Sequence, residues 1–169
     1  QIRNVHGKED TLITIQIDFQ LAERFGMEYV DQDGAKKHPI VIHRTSIGCY
    51  ERTLALLIEK YAGAFPLWLA PEQARILTIT ERADEAASRL RRKLVQVGMR
   101  VECDLRNEKI GLKIREAQLQ KIPYMLVLGD KEVEAGVVTV RSRKDGDLGA
   151  MTADKLMERF IGEIQTRAR

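Results

Sequence analysis

The residues of this chain that could bind a ligand fall into three polar clusters in its second half. They span residues 104–115, 129–132 and 141–145, and each follows a segment with the pattern of a β-strand. Their one asparagine, Asn107, can hydrogen-bond a base edge in two places, and their Lys side chains can neutralise phosphates. The clusters contain no aromatic residue on which a base could stack, and a solvated charged surface would have the same composition. Nucleic-acid binding and plain solvation therefore both stay open.

A different site is indicated near residue 48, where a predicted helix begins directly after a predicted strand. The N-terminus of a helix attracts anions, and the planar guanidinium of Arg52 in its first turn can stack on a base or hold a phosphate. A solvated helix residue would show the same pattern. His43 ends the strand, and Cys49 lies six residues further on. Zinc takes three or four ligands, so these two residues alone do not indicate a metal site.

Length, composition and missing motifs exclude several classes of protein. The chain has 169 residues, of which 44% are hydrophobic and 31% charged, so it is neither disordered nor fibrous. It contains no GxGxxG, P-loop, HExxH or CxxC motif, which leaves simple nucleotide-binding folds and metalloproteases unsupported. The 28 Lys and Arg against 25 Asp and Glu give a net charge of +3, which permits a nucleic-acid partner without requiring one.

The sequence favours a cytoplasmic protein that does not enter a membrane. No apolar run approaches the roughly 20 residues needed to cross a bilayer, and the first residues do not have the pattern of a signal peptide. Cys49 and Cys103 are too few and too unpatterned for a disulfide framework, so we expect reduced thiols. Because the chain begins with Gln1 rather than Met, we expect a processed or excised form.

The first part of the chain predicts an antiparallel sheet followed by one helix. Ile13, Ile15 and Ile17 alternate with polar residues, which is typical of a half-buried strand. The predicted strands are residues 11–19, 27–31 and 39–43, with an Asp-Gly turn at 31–34, and the predicted helix is 48–62. Residues 63–71 hold two prolines and the only Trp, so we expect a packed junction between two units.

The second part of the chain alternates strands and helices, which predicts an α/β domain. The predicted strands are residues 74–79, 99–103, 124–128 and 137–140. The predicted helices are residues 81–97, 110–121 and a last one that Thr152 caps. If the strands are parallel, their carboxyl ends meet at one edge of the sheet, and the three polar clusters lie together there.

Several long motifs along the chain resemble threonyl-tRNA synthetases, a family of class II aminoacyl-tRNA synthetases. The motifs are HRTSIG followed by ER, AFPLWLAP, DLRNEKIG, PYMLV and GDKEV, at residues 43–52, 64–71, 104–111, 123–127 and 129–133. The resemblance implies the carboxyl-terminal portion of such an enzyme. Residues 1–70 would be the tail of the catalytic domain with its third signature motif. Residues 71–169 would be the anticodon-binding domain, an α/β fold in which three helices flank a mixed sheet.

The resemblance implies part of the site at which these ligases activate threonine with ATP and transfer it to tRNA. It matches Arg52 to the arginine that stacks on the adenine of ATP, and Thr14 to a nucleotide contact. Gln16 matches a residue of the threonine pocket, and His43 matches one of three zinc ligands. Thr11 stands where the family usually has Gln, and the other zinc ligands and signature motifs are not in this sequence. We therefore expect the chain alone to bind neither ATP nor zinc stably and to be inactive in aminoacylation.

The resemblance also implies that the second unit reads the anticodon of threonine tRNA. The residues that match the family's anticodon contacts are Asn107, Lys109, Lys131, Glu132 and Arg141. Threonine anticodons share G and U at their second and third positions, which makes these two bases the expected targets. The family's enzymes are homodimers. The alternative is a non-catalytic interaction or regulatory module that reuses the same fold.

Overall fold

A five-stranded sheet with helices on both faces forms the second part of the chain, and short antiparallel ribbons form the first part. The computed structural model describes residues 1–168, so that Arg169, the last residue of the predicted second domain, lies outside the described residues. The chain divides into unit 1, Gln1–Tyr61, and unit 2, Ala62–Arg169. No helix within residues 1–168 is both long and apolar enough to cross a membrane.

Unit 1 contains three short ribbons and one long helix. Its elements are β1 (Ile2–Arg3), β2 (Glu9–Asp10), β3 (Ile15–Asp18), α1 (Leu21–Arg24), β4 (Tyr29–Val30), β5 (Lys36–Lys37), β6 (Val41–Arg44) and α2 (Tyr50–Tyr61). β1 pairs with β2, β3 with β6 and β4 with β5, and all three pairs are antiparallel. The predicted antiparallel pairing and the predicted helix are confirmed. The strands are shorter than predicted, and the prediction did not include β1, β2, β5 or α1. The predicted strand at 39–43 pairs with β3, whereas the segment at 27–31 pairs with β5.

The isoleucines that predicted a half-buried strand are exposed in unit 1. Ile15, Ile17 and Ile42 expose 66%, 59% and 65% of their surface. They lie on one face of the ribbon of β3 and β6, because Ile17 pairs with Ile42 and Ile15 is two residues away. A two-stranded ribbon with an uncovered apolar face is marginally stable by itself. This face therefore needs a cover that the described part of the chain does not supply.

Unit 2 is an α/β domain built on a mixed sheet. Its elements are β7 (Ala74–Thr78), a 3₁₀ turn (Glu81–Ala83), α3 (Asp84–Gln96), β8 (Val101–Asp104), α4 (Ile110–Leu119), β9 (Tyr124–Leu128), α5 (Asp130–Ala135), β10 (Val138–Ser142), β11 (Gly146–Met151) and α6 (Ala153–Gln165). The strand order is β11-β10-β9-β7-β8. β7 runs parallel to β8 and β9, whereas β10 is antiparallel to β9 and β11. The predicted mixed sheet is confirmed.

Helices cover both faces of the unit 2 sheet. On one face, α3 and α6 contribute Leu94 and Phe160 to a core that includes Leu126 of β9. On the other face, α4 packs Ala117 against a core that includes Met125 of β9. Each of the larger buried side chains stabilises the fold by about 1.5–3 kcal/mol. Because both faces of β9 are covered, its sequence is a continuous apolar run rather than an alternating one.

Two elements of unit 2 were not predicted. Residues 130–135, which overlap the second polar cluster, form the short helix α5, and the glycine-containing segment after residue 145 forms β11. α5 follows β9 directly and ends at Gly136, whose φ of +66° suits glycine. The longer helices α3, α4 and α6 correspond to the three predicted helices that flank the sheet.

The segment before β7 belongs to unit 2 rather than to the end of unit 1. Leu67 is 1% exposed and joins the larger core. The side-chain amide of Gln73 donates to the Leu67 carbonyl oxygen at 2.8 Å, and Arg143 donates to the Phe65 carbonyl oxygen at 2.8 Å. The units of the structure meet at 61/62 instead of 70/71, because this apolar segment packs into the core of unit 2.

Candidate functional site

Two of the three polar clusters lie at the same edge of the unit 2 sheet. β8 and β9 both run parallel to β7, so their carboxyl ends meet at that edge. The loop after β8 carries Asn107 and Lys109, and helix α5 after β9 carries Lys131 and Glu132. Because β7 lies between β8 and β9, the ends of these two strands are about 10 Å apart. The structure thus brings four of the five predicted anticodon contacts to one edge.

The Glu132 carboxylate is fixed at this edge by two hydrogen bonds. Its Oε2 accepts from the backbone N–H of Gly129 at 3.0 Å, and its Oε1 accepts from the Thr139 hydroxyl at 3.0 Å. The bond to Gly129 satisfies a backbone donor at the start of α5. Each carboxylate oxygen has two lone pairs. One acceptor position on each oxygen therefore remains for a ligand.

Three donor side chains at this edge have no partner among residues 1–168. The side chains of Asn107, Lys109 and Lys131 are exposed and form no hydrogen bond or ion pair with the residues from 1 to 168. Lysine ammonium groups are strongly hydrated point charges that neutralise phosphates, whereas an asparagine amide both donates and accepts. The edge therefore presents the two kinds of group that an anionic, hydrogen-bonding partner requires.

The third polar cluster extends to the opposite edge of the sheet, which corrects the expectation that all three lie together. β10 is antiparallel to β9, so Ser142 pairs with Tyr124 at the amino end of β9. The backbone N–H of Arg143 donates to the Pro123 carbonyl oxygen at 2.8 Å. Apolar periodicity gives the position of a strand but not its direction. The sequence pattern therefore could not reveal this reversal.

Arg141 shares a face of the sheet with Thr139. The two residues are two positions apart on β10, and they pair with Met125 and Val127 of β9. The Arg141 Nη1 lies 4.0 Å from Asp147 Oδ2, and its Nε is buried without a hydrogen-bond partner among residues 1–168. Arg141 therefore lies on the same sheet face as Thr139, whose hydroxyl binds Glu132. Its guanidinium can still donate hydrogen bonds to a ligand.

Arg106 is engaged within the loop after β8. Its Nε and Nη2 donate to Oδ1 and Oδ2 of Asp104 at 2.9 and 2.6 Å, and Nη2 also donates to Glu116 at 2.5 Å. Hydrogen bonding to this guanidinium lowers the pKa of Asp104, and the two carboxylates raise the pKa of Arg106. The bidentate pair fixes the start of the loop that carries Asn107 and Lys109.

Lys113 is buried, which corrects the expectation that the lysines of its cluster face a phosphate. It is 1% exposed, and its Nζ donates to the carbonyl oxygens of Thr78 and Asp104 at 2.9 and 3.1 Å. These two carbonyls end β7 and β8, so Lys113 joins the strand ends beneath the loop. The sequence did carry a signal, because Lys113 lies three residues after Ile110 and four before Ala117 on the apolar stripe of α4.

In unit 1, Gln16 and His43 lie directly opposite each other on β3 and β6. Both line an open depression of about 540 Å³ together with Gln20. The backbone N–H groups of Leu21 and Gln20, with a smaller effect of His43, lower the pKa of Asp18. Asp18 Oδ2 is 3.6 Å from His43 Nε2. The predicted threonine-pocket residue and the predicted zinc ligand are therefore neighbours.

Thr14 and Arg52 lie where the segment before β3 passes the start of α2. The Arg52 Nη1 donates to the Thr11 carbonyl oxygen at 2.7 Å. Gly48 permits this close approach, because a Cβ at that position would lie 1.8 Å from the Leu12 carbonyl oxygen, and its φ is +80°. The side chains of Thr14 and Arg52 are exposed, so both are open to a ligand.

The described residues do not make the zinc site that the resemblance implies. Zinc takes three or four nitrogen, oxygen or sulfur ligands. Between residues 1 and 168, no group of three His, Cys, Asp or Glu side chains is placed to hold a metal ion. Asp18 Oδ2, at 3.6 Å from His43 Nε2, is one possible second ligand and does not complete such a group. The side chains present therefore do not fit a bound zinc ion.

The sequence matches two protein families, one in each unit. Residues 73–163 match the Anticodon binding domain family, and residues 2–61 match the tRNA synthetase class II core domain (G, H, P, S and T) family. The first family covers more than half of the chain, and the second covers most of unit 1.

Similar proteins include two curated threonine–tRNA ligases. That of Clostridium botulinum (strain Eklund 17B / Type B) is 57% identical over 169 residues, and that of Clostridium perfringens (strain SM101 / Type A) is 59% identical over 167 residues. The matches cover 100% and 99% of this chain but 26% of each relative, so the chain spans about a quarter of their length. The crystal structure of the RNA binding domain of threonyl-tRNA synthetase from Cryptosporidium parvum Iowa II is 36% identical with a TM-score of 0.78, and the match covers 95% of this chain and 41% of that chain.

Proposed function

Because the chain belongs to the Anticodon binding domain family and matches threonine–tRNA ligases along its whole length, we propose that unit 2 reads the anticodon of threonine tRNA. The observation that carries this proposal is the arrangement at the edge formed by the ends of β8 and β9. There the fixed acceptor Glu132 shares the edge with the exposed side chains of Asn107, Lys109 and Lys131, which no residue of the described chain engages. Such a set can contact both the bases and the phosphates of a single-stranded loop.

The chemistry of these side chains suits base reading. The bases of a single-stranded loop are recognised through hydrogen bonds to their exposed edges. Glu132 accepts from amino or imino groups of a base, Asn107 both donates and accepts, and Arg141 donates from the sheet face that it shares with Thr139. Lys109 and Lys131 supply phosphate contacts, which position the loop without reading its sequence. The net charge of +3 is consistent with a partner held by few phosphate contacts.

We further propose that unit 1 contributes to the ATP and threonine site of a complete ligase. The match of residues 2–61 to the class II core family supports this, as do the exposed side chains of Thr14, Gln16 and Arg52. Arg52 would stack on the adenine of ATP, and Gln16 would line the threonine pocket. The complete enzyme would be a cytoplasmic homodimer that activates threonine and transfers it to tRNA. His43 can supply one zinc ligand, so a zinc site would need ligands beyond the described residues.

Binding of a labelled RNA hairpin tests the anticodon proposal. Fluorescence anisotropy at fixed salt would compare the threonine anticodon stem-loop with one in which the G and U of the anticodon are exchanged. We expect a clear preference for the first. Glu132→Gln should weaken cognate binding by about 1–3 kcal/mol, because one carboxylate acceptor becomes a donor. Glu134→Gln is the matched control, since Glu134 is exposed on the same helix.

Two results would count against anticodon reading. One is equal binding of both stem-loops by the unaltered chain, and the other is an equal loss in the Glu132 and Glu134 variants. A pull-down that recovers a protein but no tRNA would favour the interaction module instead.

A further inference from the structure

We infer that the Thr139 hydroxyl positions the Glu132 carboxylate and thereby sets how strongly unit 2 discriminates between anticodons. This inference rests on the proposed function of unit 2. Thr139 lies outside the three polar clusters and is not among the residues matched to anticodon contacts. It is therefore a positioning residue that only the three-dimensional arrangement identifies.

The two hydrogen bonds of Glu132 come from two different elements. The Gly129 N–H precedes α5 and binds Oε2 at 3.0 Å, whereas the Thr139 hydroxyl projects from β10 and binds Oε1 at 3.0 Å. One bond alone would leave the Glu132 side chain free to move between rotamers, because several staggered wells are available to a glutamate. Two bonds to the two oxygens fix the plane of the carboxylate.

Thr139 is a rigid anchor for this bond. Its strand is paired on both sides, with Thr139 opposite Val127 of β9 and Ala150 of β11. A threonine is β-branched, so few χ1 rotamers are available to it on a strand. Groups held by rigid elements define a binding geometry better than groups on loops. The hydroxyl therefore fixes Glu132 relative to the sheet rather than relative to α5 alone.

Fixing the carboxylate affects discrimination more than affinity. An immobile carboxylate accepts only from base donors that arrive along its remaining lone-pair directions. A mobile carboxylate can rotate to meet the donors of a wrong base. Because Thr139 and Arg141 lie on the same face of β10, the hydroxyl also orients the acceptor towards the face that carries the guanidinium donor. Loss of the hydroxyl should therefore lower the preference for the matching anticodon.

The test compares Thr139→Val, which removes the hydroxyl but keeps the branched shape, with Thr139→Ser, which retains it. Thr80→Val is the matched control, because the Thr80 hydroxyl donates to Asp130 of the same short helix at 2.7 Å. Anisotropy would give the ratio of affinities for the threonine stem-loop and its G/U-exchanged form. NMR scalar couplings of the Glu132 side chain would report its rotamers without RNA. Thr139→Ala replaces the valine variant if fluorescence of Trp68 shows that the latter is unfolded.

We expect Thr139→Val to lower the affinity ratio by about two- to tenfold, in line with the loss of one hydrogen bond. The Glu132 couplings should then change from a single rotamer to averaged values, whereas the Thr139→Ser and Thr80→Val variants should keep the ratio of the unaltered chain. If Glu132→Gln loses discrimination but Thr139→Val does not, or if the couplings stay unchanged, the inference is overturned while the proposed function stands. Equal binding of both stem-loops by the unaltered chain overturns both.

Discussion

The buried ammonium of Lys113 donates to the carbonyl oxygen of Asp104 at 3.1 Å, at the point where β8 ends and the loop with Asn107 begins. The same Nζ lies 4.0 Å from Asp104 Oδ1 and donates to the Thr78 carbonyl oxygen at 2.9 Å. A buried charge is tolerated only when it is paired and hydrogen-bonded, and Lys113 meets both conditions. The side chain therefore supports the loop from below, and its ammonium is not exposed to solvent.

Replacing Lys113 by methionine should destabilise unit 2. The Lys113→Met variant keeps the buried stem but removes the ammonium donor from the Thr78 and Asp104 carbonyl oxygens, of which that of Asp104 keeps a second donor, the Thr78 hydroxyl at 3.3 Å. We expect a loss of about 2–4 kcal/mol in the free energy of unfolding. Urea denaturation followed by Trp68 fluorescence would measure it, because the only Trp of the chain lies in unit 2. Arg115→Met on the exposed side of α4 should change stability by less than about 0.5 kcal/mol. Equal effects of the two variants would contradict a structural role for Lys113.

The stability of unit 2 should fall in acid through Asp104. Hydrogen bonding to Arg106 lowers the pKa of Asp104 from 3.8, so the folded chain binds this proton less tightly than the unfolded chain. The resulting stabilisation is complete above the unfolded value and is lost as the pH falls through the folded value. Asp104→Asn should therefore be less stable than the unaltered chain at pH 7, and the difference should shrink below about pH 4. Urea denaturation of both proteins at several pH values, again read by Trp68, would measure this. A difference that does not depend on pH would contradict the assignment.

The fold of unit 2 was largely predictable because its local signals agree with its tertiary packing. The apolar run at 124–128 predicts a strand covered on both faces, and the structure buries all of it. The stripe that includes Ala87, Leu90 and Leu94 predicts the helix α3, and these residues form its buried face. Local pattern and global packing point to the same arrangement here.

The parts that the sequence did not predict depend on relations between distant segments. The direction of β10 follows from its pairing with β9, which moves the residues after Arg141 to the opposite edge of the sheet. β11 contains Gly146 and Gly149, which weaken a strand pattern. The bond of Thr139 to Glu132 joins a strand to a helix and leaves no periodic signal. In unit 1, the alternation of Ile15 and Ile17 predicted a buried face, yet the described residues contain no layer to bury it.

Gly48 should be required for the approach of α2 to the segment before β3. In Gly48→Ala, the new Cβ would meet the Leu12 carbonyl oxygen at 1.8 Å, so the backbone must shift. We expect a loss of more than about 1 kcal/mol in the stability of unit 1, seen as faster hydrogen exchange of the α2 amides. Gly34→Ala separates this clash from backbone strain, because Gly34 has a φ of +77° but no atom within 4 Å of the added Cβ. Similar exchange in both variants would show that strain alone accounts for the effect.

Substitutions of the lysines and of the asparagine at the edge formed by the ends of β8 and β9 should change the salt dependence of RNA binding differently. Lys109 and Lys131 are exposed and form no ion pair within residues 1–168. A phosphate contact releases counterions when it forms. For a single strand, each lost contact should reduce the slope of log K against log salt by about 0.7. Lys109→Ala and Lys131→Ala should therefore weaken binding to the matching and the exchanged stem-loop alike, and should flatten the salt dependence.

Asn107→Ala is expected to show the opposite behaviour. Because the amide of Asn107 is neutral, its contact with RNA releases no counterions. Removing that contact should therefore leave the salt slope unchanged. It should instead weaken binding to the matching stem-loop by about 1–3 kcal/mol and reduce the preference over the exchanged one. Anisotropy titrations of the three variants with both stem-loops at four salt concentrations would separate the two roles. A flattened slope in Asn107→Ala, or a lost preference with an unchanged slope in the lysine variants, would require the roles of these residues to be exchanged.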